Sequence, residues 1–458
     1  MRHLNIDIET YSSNDIKNGV YKYADAEDFE ILLFAYSIDG GEVECLDLTR
    51  QSLPEDIKDM LFDDKVRKHA FNAQFERVCL SRYLGLPYYL DPCQWQCTMV
   101  LAQELGLPSS LEKCALYLKL AQEKDTSGKN LIRYFSLPCK PSKTNGGRTR
   151  NLPEHAPEKW QMFIDYCIQD VVVEMAIAEK LESVPVHDRE WDYYACDQRI
   201  NDRGVALDKE LVASALYCKD VKMESLSGEL KALTGLANPN SRAQLLPWLK
   251  EHGYSANGLT KADVEQELKT AEGELKRVLE LKLQTAMSSL KKYEAMERAM
   301  CSDGRVHGLL QFYGASRTGR WAGRVVQVQN LARNYIKDLD DARGYVKKRD
   351  IDAVEILYDS LNDTLKQLVR TALVAKEGCT FYVSDFSAIE ARDILAEALL
   401  RIEAAGHGVV FHVHDEAIIE GSGLTIEGVN DLMAQAPEWA EGLPLNSEGY
   451  VTKYYMKD

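Results

Sequence analysis

The sequence has no apolar run approaching the roughly 18 residues that a membrane-spanning helix needs, so a soluble, cytoplasmic protein without a membrane partner is expected. It contains no repeat with a period of about 20–50 residues and no low-complexity tract, which excludes solenoid, propeller and collagen-like designs. An apolar leader is also missing: strand-like residues begin at Leu4, and export is not expected. Basic charge is in deficit, with 55 Lys and Arg against 72 Asp and Glu and a net charge of -17. Generic coating of nucleic acid is thereby disfavoured, although a local basic track is not. The 11 cysteines are odd in number and scattered from Cys45 to Cys379. Only Cys93 and Cys97 are close, no second pair stands at ligand spacing, and reduced thiols rather than a zinc site are expected.

What is present is 458 residues with 45% hydrophobic and 28% charged content, enough for two to four globular domains at about 150 residues each. Short apolar strands (Leu4 to Ile8, Ile31 to Ile38) alternate with helical stretches (Leu111 to Leu120, Gln161 to Leu181), which predicts α/β structure up to about residue 185. Residues 139–150 hold Lys140, Lys143, Arg148 and Arg150 without an acid, in an exposed loop that either is a solvated turn or contacts phosphates. The charged periodic stretch from Ala262 to Met300 predicts an extended helical arm. Tyr313 to Arg333 carries Arg317, Arg320, Arg324 and Arg333 with no Asp, Glu or Lys, a composition suited to tracking a phosphate backbone.

Two constellations carry chemistry. In Leu4-Asn5-Ile6-Asp7-Ile8-Glu9, alternation puts Leu4, Ile6 and Ile8 on one strand face and Asp7 with Glu9 on the other. Neighbouring carboxylates repel unless a cation lies between them, and hard oxygen donors suit Mg²⁺ or Mn²⁺. Phe71-Asn72-Ala73-Gln74-Phe75-Glu76 then sets a carboxylate in a helix start, and Tyr166 and Asp170 share a helix face at i and i+4. In order and spacing this set resembles the DnaQ-like 3′→5′ exonucleases with a ribonuclease-H-like fold. The resemblance implies two metal ions held by Asp7, Glu9 and Asp170, with Glu76 completing the acidic set and Tyr166 orienting the water. Glu76 stands where many members have Asp.

Farther on, Thr380 to Phe386 reads as a strand ending in Asp385, while Val409 to Val413 and Ala417 to Ile419 flank His414-Asp415-Glu416 as a hairpin. Here the chain resembles family A DNA polymerases of the phage and prophage type. Asp385-Phe386-Ser387-Ala388-Ile389-Glu390-Ala391-Arg392 matches motif A, and Val413-His414-Asp415-Glu416 matches motif C. Thr318-Gly319-Arg320, Val328 to Leu331 and Leu368 to Leu373 resemble primer-template segments, and Asn238 to Ser241 and Ser288 to Tyr293 resemble thumb landmarks. The resemblance implies that Asp385 and Asp415 bind two Mg²⁺ ions, that Glu390 excludes ribonucleotides, and that Arg320, Gln329 and Asn330, with His414 and Glu416 near the primer end, hold DNA, to which Arg317 and Arg324 of the basic track are expected to add phosphate contacts.

Only 30 residues separate Asp385 from Asp415, however, and no motif B helix lies between them or after Glu420. The fingers, with the cationic clamp on the nucleotide phosphates, are therefore expected to be missing between 392 and 393, and weak use of dNTPs follows. The expected organisation is an exonuclease domain over 1–185, the start of the palm over 186–230, a helical thumb over 231–300 and the rest of the palm over 301–458. The fold class is α/β and α+β, multidomain. The expected activity is DNA polymerase with 3′→5′ proofreading in DNA replication, acting on primer-template and single-stranded 3′ ends. A stand-alone exonuclease with a degenerate polymerase half, or a non-catalytic primer-template binding module, are the alternatives.

Overall fold

The computed structural model describes residues 1–120, 128–184, 186–285, 290–387 and 391–457. The chain divides into two units: Met1–Ala206, Ala299–Asn330 and Ala375–Lys453 form one, and Leu207–Arg298, Leu331–Val374 and Tyr454–Asp458 the other. One boundary of this division falls at 206/207, and residues 331–374 group with the helices of the second unit. No helix among the described residues is long and apolar enough to cross a membrane.

The first unit opens with a five-stranded sheet of β1 (Arg2–Tyr11), β2 (Glu30–Ile38), β3 (Glu44–Asp47), β4 (Val66–Ala70) and β5 (Trp95–Cys97). Its order is β3-β2-β1-β4-β5, with β1 antiparallel to β2 and parallel to β4. Helix α1 (Ala73–Tyr83) links β4 to β5, and α2 (Thr98–Glu104) follows β5. Alternation on β1 does what the sequence predicts. Leu4, Ile6 and Ile8 are buried in one cluster with Val78, Cys79 and Leu80 of α1. The opposite face is covered by α3 (Pro157–Leu181), whose Trp160, Phe163, Cys167 and Val171 pack with Tyr11, Leu33 and Ala35. Pro157 starts α3 where a missing N–H costs nothing, and its buried positions recur every three or four residues.

After α3 comes α4 (Asp188–Arg203), tied to α1 by the buried Arg77, which donates to Asp202 at 2.8 and 2.7 Å and to Leu90 O at 2.9 Å. The hairpin β6 (Leu310–Ala315) and β7 (Arg320–Gly323) precedes a second sheet made of β8 (Thr380–Phe386), β9 (Gly408–Val413), β10 (Glu416–Gly421) and β11 (Ser447–Thr452). Its order is β9-β10-β8-β11, and α5 (Arg392–Ala404) connects β8 to β9. This is the strand, helix and hairpin expected around motifs A and C.

The second unit is mainly helical, including Lys209–Thr234, Arg242–Glu251, Lys261–Leu268 and Gly273–Thr285. It is held by contacts such as Tyr293 Oη to Leu365 O at 2.8 Å and Arg343 to Asp208 at 2.6 Å. The single arm expected over 262–300 is instead three helices, Lys261–Leu268, Gly273–Thr285 and Lys291–Ala299. The first helix ends at Leu268, and the next begins at Gly273, whose positive φ of 57° redirects the chain into it. Ser288 and Ser289 of the thumb landmark lie outside the described residues.

Candidate functional site

Strand β1 presents Asp7 and Glu9 toward α3, and a register shift against β2 between Glu9 and Thr10 marks a bulge beside them. From α3, Asp170 reaches the same point, so that one oxygen each of Asp7, Glu9 and Asp170 lies within 4.8 Å of the others. Tyr166, one turn earlier, donates its hydroxyl proton to Asp170. Glu76 comes from the first turn of α1 and is buried, and its Oε2 has no hydrogen-bond partner. It stands outside the three-oxygen cluster but close enough for its charge to act on Glu9.

The electrostatics follow from burial and like charge. Burial pushes the carboxyl of Asp7 well up, the charge of Asp170 adds to the rise, and the Cys167 thiol, donating to Asp7 Oδ2 at 3.4 Å, opposes it. Burial raises Glu9 first, then the charges of Asp7, Asp170 and Glu76. Glu76 rises through burial and the charge of Asp7. Burial, Asp170 and Glu9 hold the Tyr166 phenol protonated. A converging set of hard oxygen donors whose ionised forms repel one another is a donor set that fits a hard divalent cation, which would remove the repulsion. The orphaned Glu76 Oε2 is a further buried acceptor without a partner, on a side chain close enough for its charge to act on Glu9.

One member of this neighbourhood was missed from sequence. Glu174, on α3 one turn beyond Asp170, is 2% exposed and accepts hydrogen bonds from Asn5 and Thr98. The signal that would have found it is phase: it falls on the buried stripe of Cys167, Val171, Ile177 and Leu181, where an apolar residue is the rule.

In the second sheet, Asp385 at the end of β8 faces Glu416 of β10 on one side and Glu448 of β11 on the other. His414 and Asp415 form the turn between β9 and β10, with His414 at a positive φ of 57°. The Phe386 N–H donates to Asp415 O at 3.3 Å, which brings the backbones next to both expected aspartates to one end of the sheet. Asp385 and Asp415 are half-buried, Glu416 is buried and His414 exposed. Glu390 lies outside the described residues. Arg392, in contrast, is engaged within the fold: it grips both oxygens of Glu190, at 2.8 and 2.5 Å, and lies 5.1 Å from the Phe312 ring and 5.2 Å from that of Tyr313.

Arg317, Arg320 and Arg324 are exposed on or beside the β6–β7 hairpin. Asn330 is exposed as well, whereas Gln329 turns its Oε1 inward against Gly323, where any side chain at 323 would collide with it. The loop over 139–150 divides. Arg150 pairs with Glu30 at 2.5 Å and stacks on the Tyr11 ring at 3.8 Å, and Arg148 donates to Asn151 at 2.8 Å, while Lys140 and Lys143 are exposed. All 11 cysteines are free thiols, Cys93 and Cys97 included.

No protein-family model matches the chain. The DNA polymerase of Bacillus phage SP02 is 51% identical over 442 residues, covering 93% of this chain and 68% of that protein. The chain belongs to the phage DNA polymerases. The fold of the polymerase agrees: a solved structure described as the POL domain of Pol1 from M. smegmatis, in complex with DNA primer-template and dNTP, matches with a TM-score of 0.57. The two share 13% identity, over 99% of this chain and 95% of that one.

Proposed function

We propose that this polymerase is a family A enzyme whose N-terminal sheet is a ribonuclease-H-like 3′→5′ proofreading exonuclease. The observation that carries the reading is the convergence of Asp7, Glu9 and Asp170, from one strand and one helix, with Tyr166 bonded to Asp170. The sheet order β3-β2-β1-β4-β5, with three antiparallel strands continued by two parallel ones, supports the same fold. Asp7, Glu9 and Asp170 would hold two divalent cations, Mg²⁺ or Mn²⁺, with Glu76 behind them. When bound, such ions supply charge neutralisation at a scissile phosphate and a bound water acidic enough to attack it near neutral pH. Tyr166, kept protonated by its surroundings, presents a hydroxyl that orients the attacking water. Arg317, Arg320, Arg324 and Asn330 would hold the primer-template through phosphate oxygens.

Asp385 and Asp415 form the second acidic pair, for nucleotidyl transfer, with Glu390 as the sugar selector, Gln329 among the residues that hold the primer-template, and His414 and Glu416 near the primer end. Because phosphoryl transfer rests on positioning and charge stabilisation, the missing motif B clamp should leave incorporation weak. The 30-residue spacing of the two aspartates thus favours a second reading, in which excision dominates and the C-terminal half delivers primer ends. A 3′-labelled primer-template incubated with Mg²⁺, with and without dNTPs, tests both. Shortening that needs the divalent ion is expected; no cleavage at all would leave only a binding module, and processive extension on adding dNTPs would overturn the weak-incorporation reading.

A further inference from the structure

We infer that Glu174 is a positioning residue of the exonuclease site, clamping β1 and α2 onto α3 so that Asp170 meets Asp7 and Glu9 across the cation-binding point. The inference rests on the metal-dependent reading above. Asn5 Nδ2 donates to Glu174 Oε2 at 2.7 Å, and Thr98 Oγ1 donates to Oε1. Asn5 lies two residues before Asp7 on the same face of β1, Thr98 is the first residue of α2, and Glu174 is one turn beyond Asp170. One carboxylate therefore joins both neighbouring elements to the helix that supplies the third member of the cluster.

An apolar side chain would fill this slot on α3 at lower cost, because a buried carboxylate is tolerated only when its oxygens are bonded. Both oxygens of Glu174 are bonded, each to a different element. Glu174 belongs to no group of three converging donor oxygens among the described residues, so it acts through the residues it holds and not as a ligand. It has the place of an outer-shell partner, whose loss typically weakens metal affinity or activity by about 10–100-fold.

The test measures Mn²⁺ binding to the full chain by electron paramagnetic resonance, together with the Mg²⁺ dependence of 3′ cleavage, for the parent, Glu174→Ala and Glu174→Gln. Gln keeps an acceptor for Asn5 and can turn its amide toward Thr98, so it preserves the clamp without the charge. Glu174→Ala should weaken Mn²⁺ binding by about 10-fold or more, and Glu174→Gln should restore most of that loss. Parent-like binding in Glu174→Ala overturns the inference, as does a Glu174→Gln loss equal to that of Ala, which would assign the effect to charge. If Glu174→Ala fails to fold, Thr98→Val removes one strut alone, and a smaller loss in the same direction is expected; no loss overturns the inference. A parent protein that neither binds Mn²⁺ nor cleaves sinks the metal-dependent reading itself and this inference with it, whereas binding that is indifferent to residue 174 sinks only the clamp.

Discussion

Asp7→Asn should stabilise the metal-free protein and destroy the site's response to divalent ions. Two unit charges at the 4.8 Å limit of the cluster repel by about 3.5 kcal/mol at an effective dielectric constant of about 20. The cluster escapes part of this by retaining protons, which is what the raised carboxyls of Asp7 and Glu9 express, so the realised gain is smaller, about 1–3 kcal/mol. Asn keeps the shape and an acceptor for the Cys167 thiol. In chelator, denaturant unfolding should therefore place Asp7→Asn above the parent. The sign with pH is fixed as well. Carboxyls raised in the folded state bind more protons there than in the unfolded chain, so the parent loses stability as pH climbs from the ordinary carboxylate range to the raised values. The variant's advantage should accordingly be larger near pH 8 than near pH 5. Adding Mg²⁺ at about 1,000 times its dissociation constant should raise the parent by about 4.1 kcal/mol and the variant by much less, inverting the order. A parent more stable than Asp7→Asn in chelator, or an equal response of both to Mg²⁺, would refute the reasoning.

Four further outcomes are expected. Tyr166→Phe should slow 3′ cleavage by about 10–100-fold while Mn²⁺ binding is retained, measured by single-turnover gel assay and titration. Arg324→Ala should weaken primer-template binding and flatten its salt dependence by about one unit of log–log slope for each phosphate no longer neutralised, read by fluorescence anisotropy. Arg77→Met leaves Asp202 charged and stripped of its buried partner, and should cost about 3–5 kcal/mol in denaturant unfolding. Burial pushes the Lys68 ammonium down to about 8 although it donates to Asp63 O at 2.7 Å, so Lys68→Met should stabilise at pH 7 by about 2 kcal/mol, the roughly 3 that the shift represents less about 1 for the lost hydrogen bond. Since stability of the parent rises with pH between about 8 and 10.5 as the unfolded lysine holds its proton longer, that advantage should shrink over the same range.

The parts of this molecule that could be read from sequence are those in which chemistry is local. Alternation along β1 separates Leu4, Ile6 and Ile8 from Asp7 and Glu9, and the four-residue step from Tyr166 to Asp170 puts phenol and carboxylate on one turn; both depend only on the period of a single element. The hairpin that carries His414 and Asp415 is equally local, because two apolar runs flank a polar turn. Residues that act against their pattern were hidden for the same reason. Glu174 and Lys68 sit at core positions of α3 and β4, where periodicity anticipates apolar side chains, and only their bonding to Asn5 and Thr98, or to Asp63, accounts for them.

Charge counting over a window fails differently, because it cannot see partners far away in the chain. Arg148 and Arg150 look as free as Arg317 and Arg324, yet Arg150 is paired with Glu30, 120 residues earlier, and stacked on Tyr11. Arg392 makes the same point over 202 residues: its two bonds to Glu190 and its approach to the Tyr193 ring join the start of α5 to α4, and the Phe312 ring adds β6. A guanidinium so enclosed cannot turn its fork to an incoming phosphate without breaking a bidentate pair. Arg392 as it stands is therefore committed to Glu190, and a cationic grip on a nucleotide would have to come from another residue.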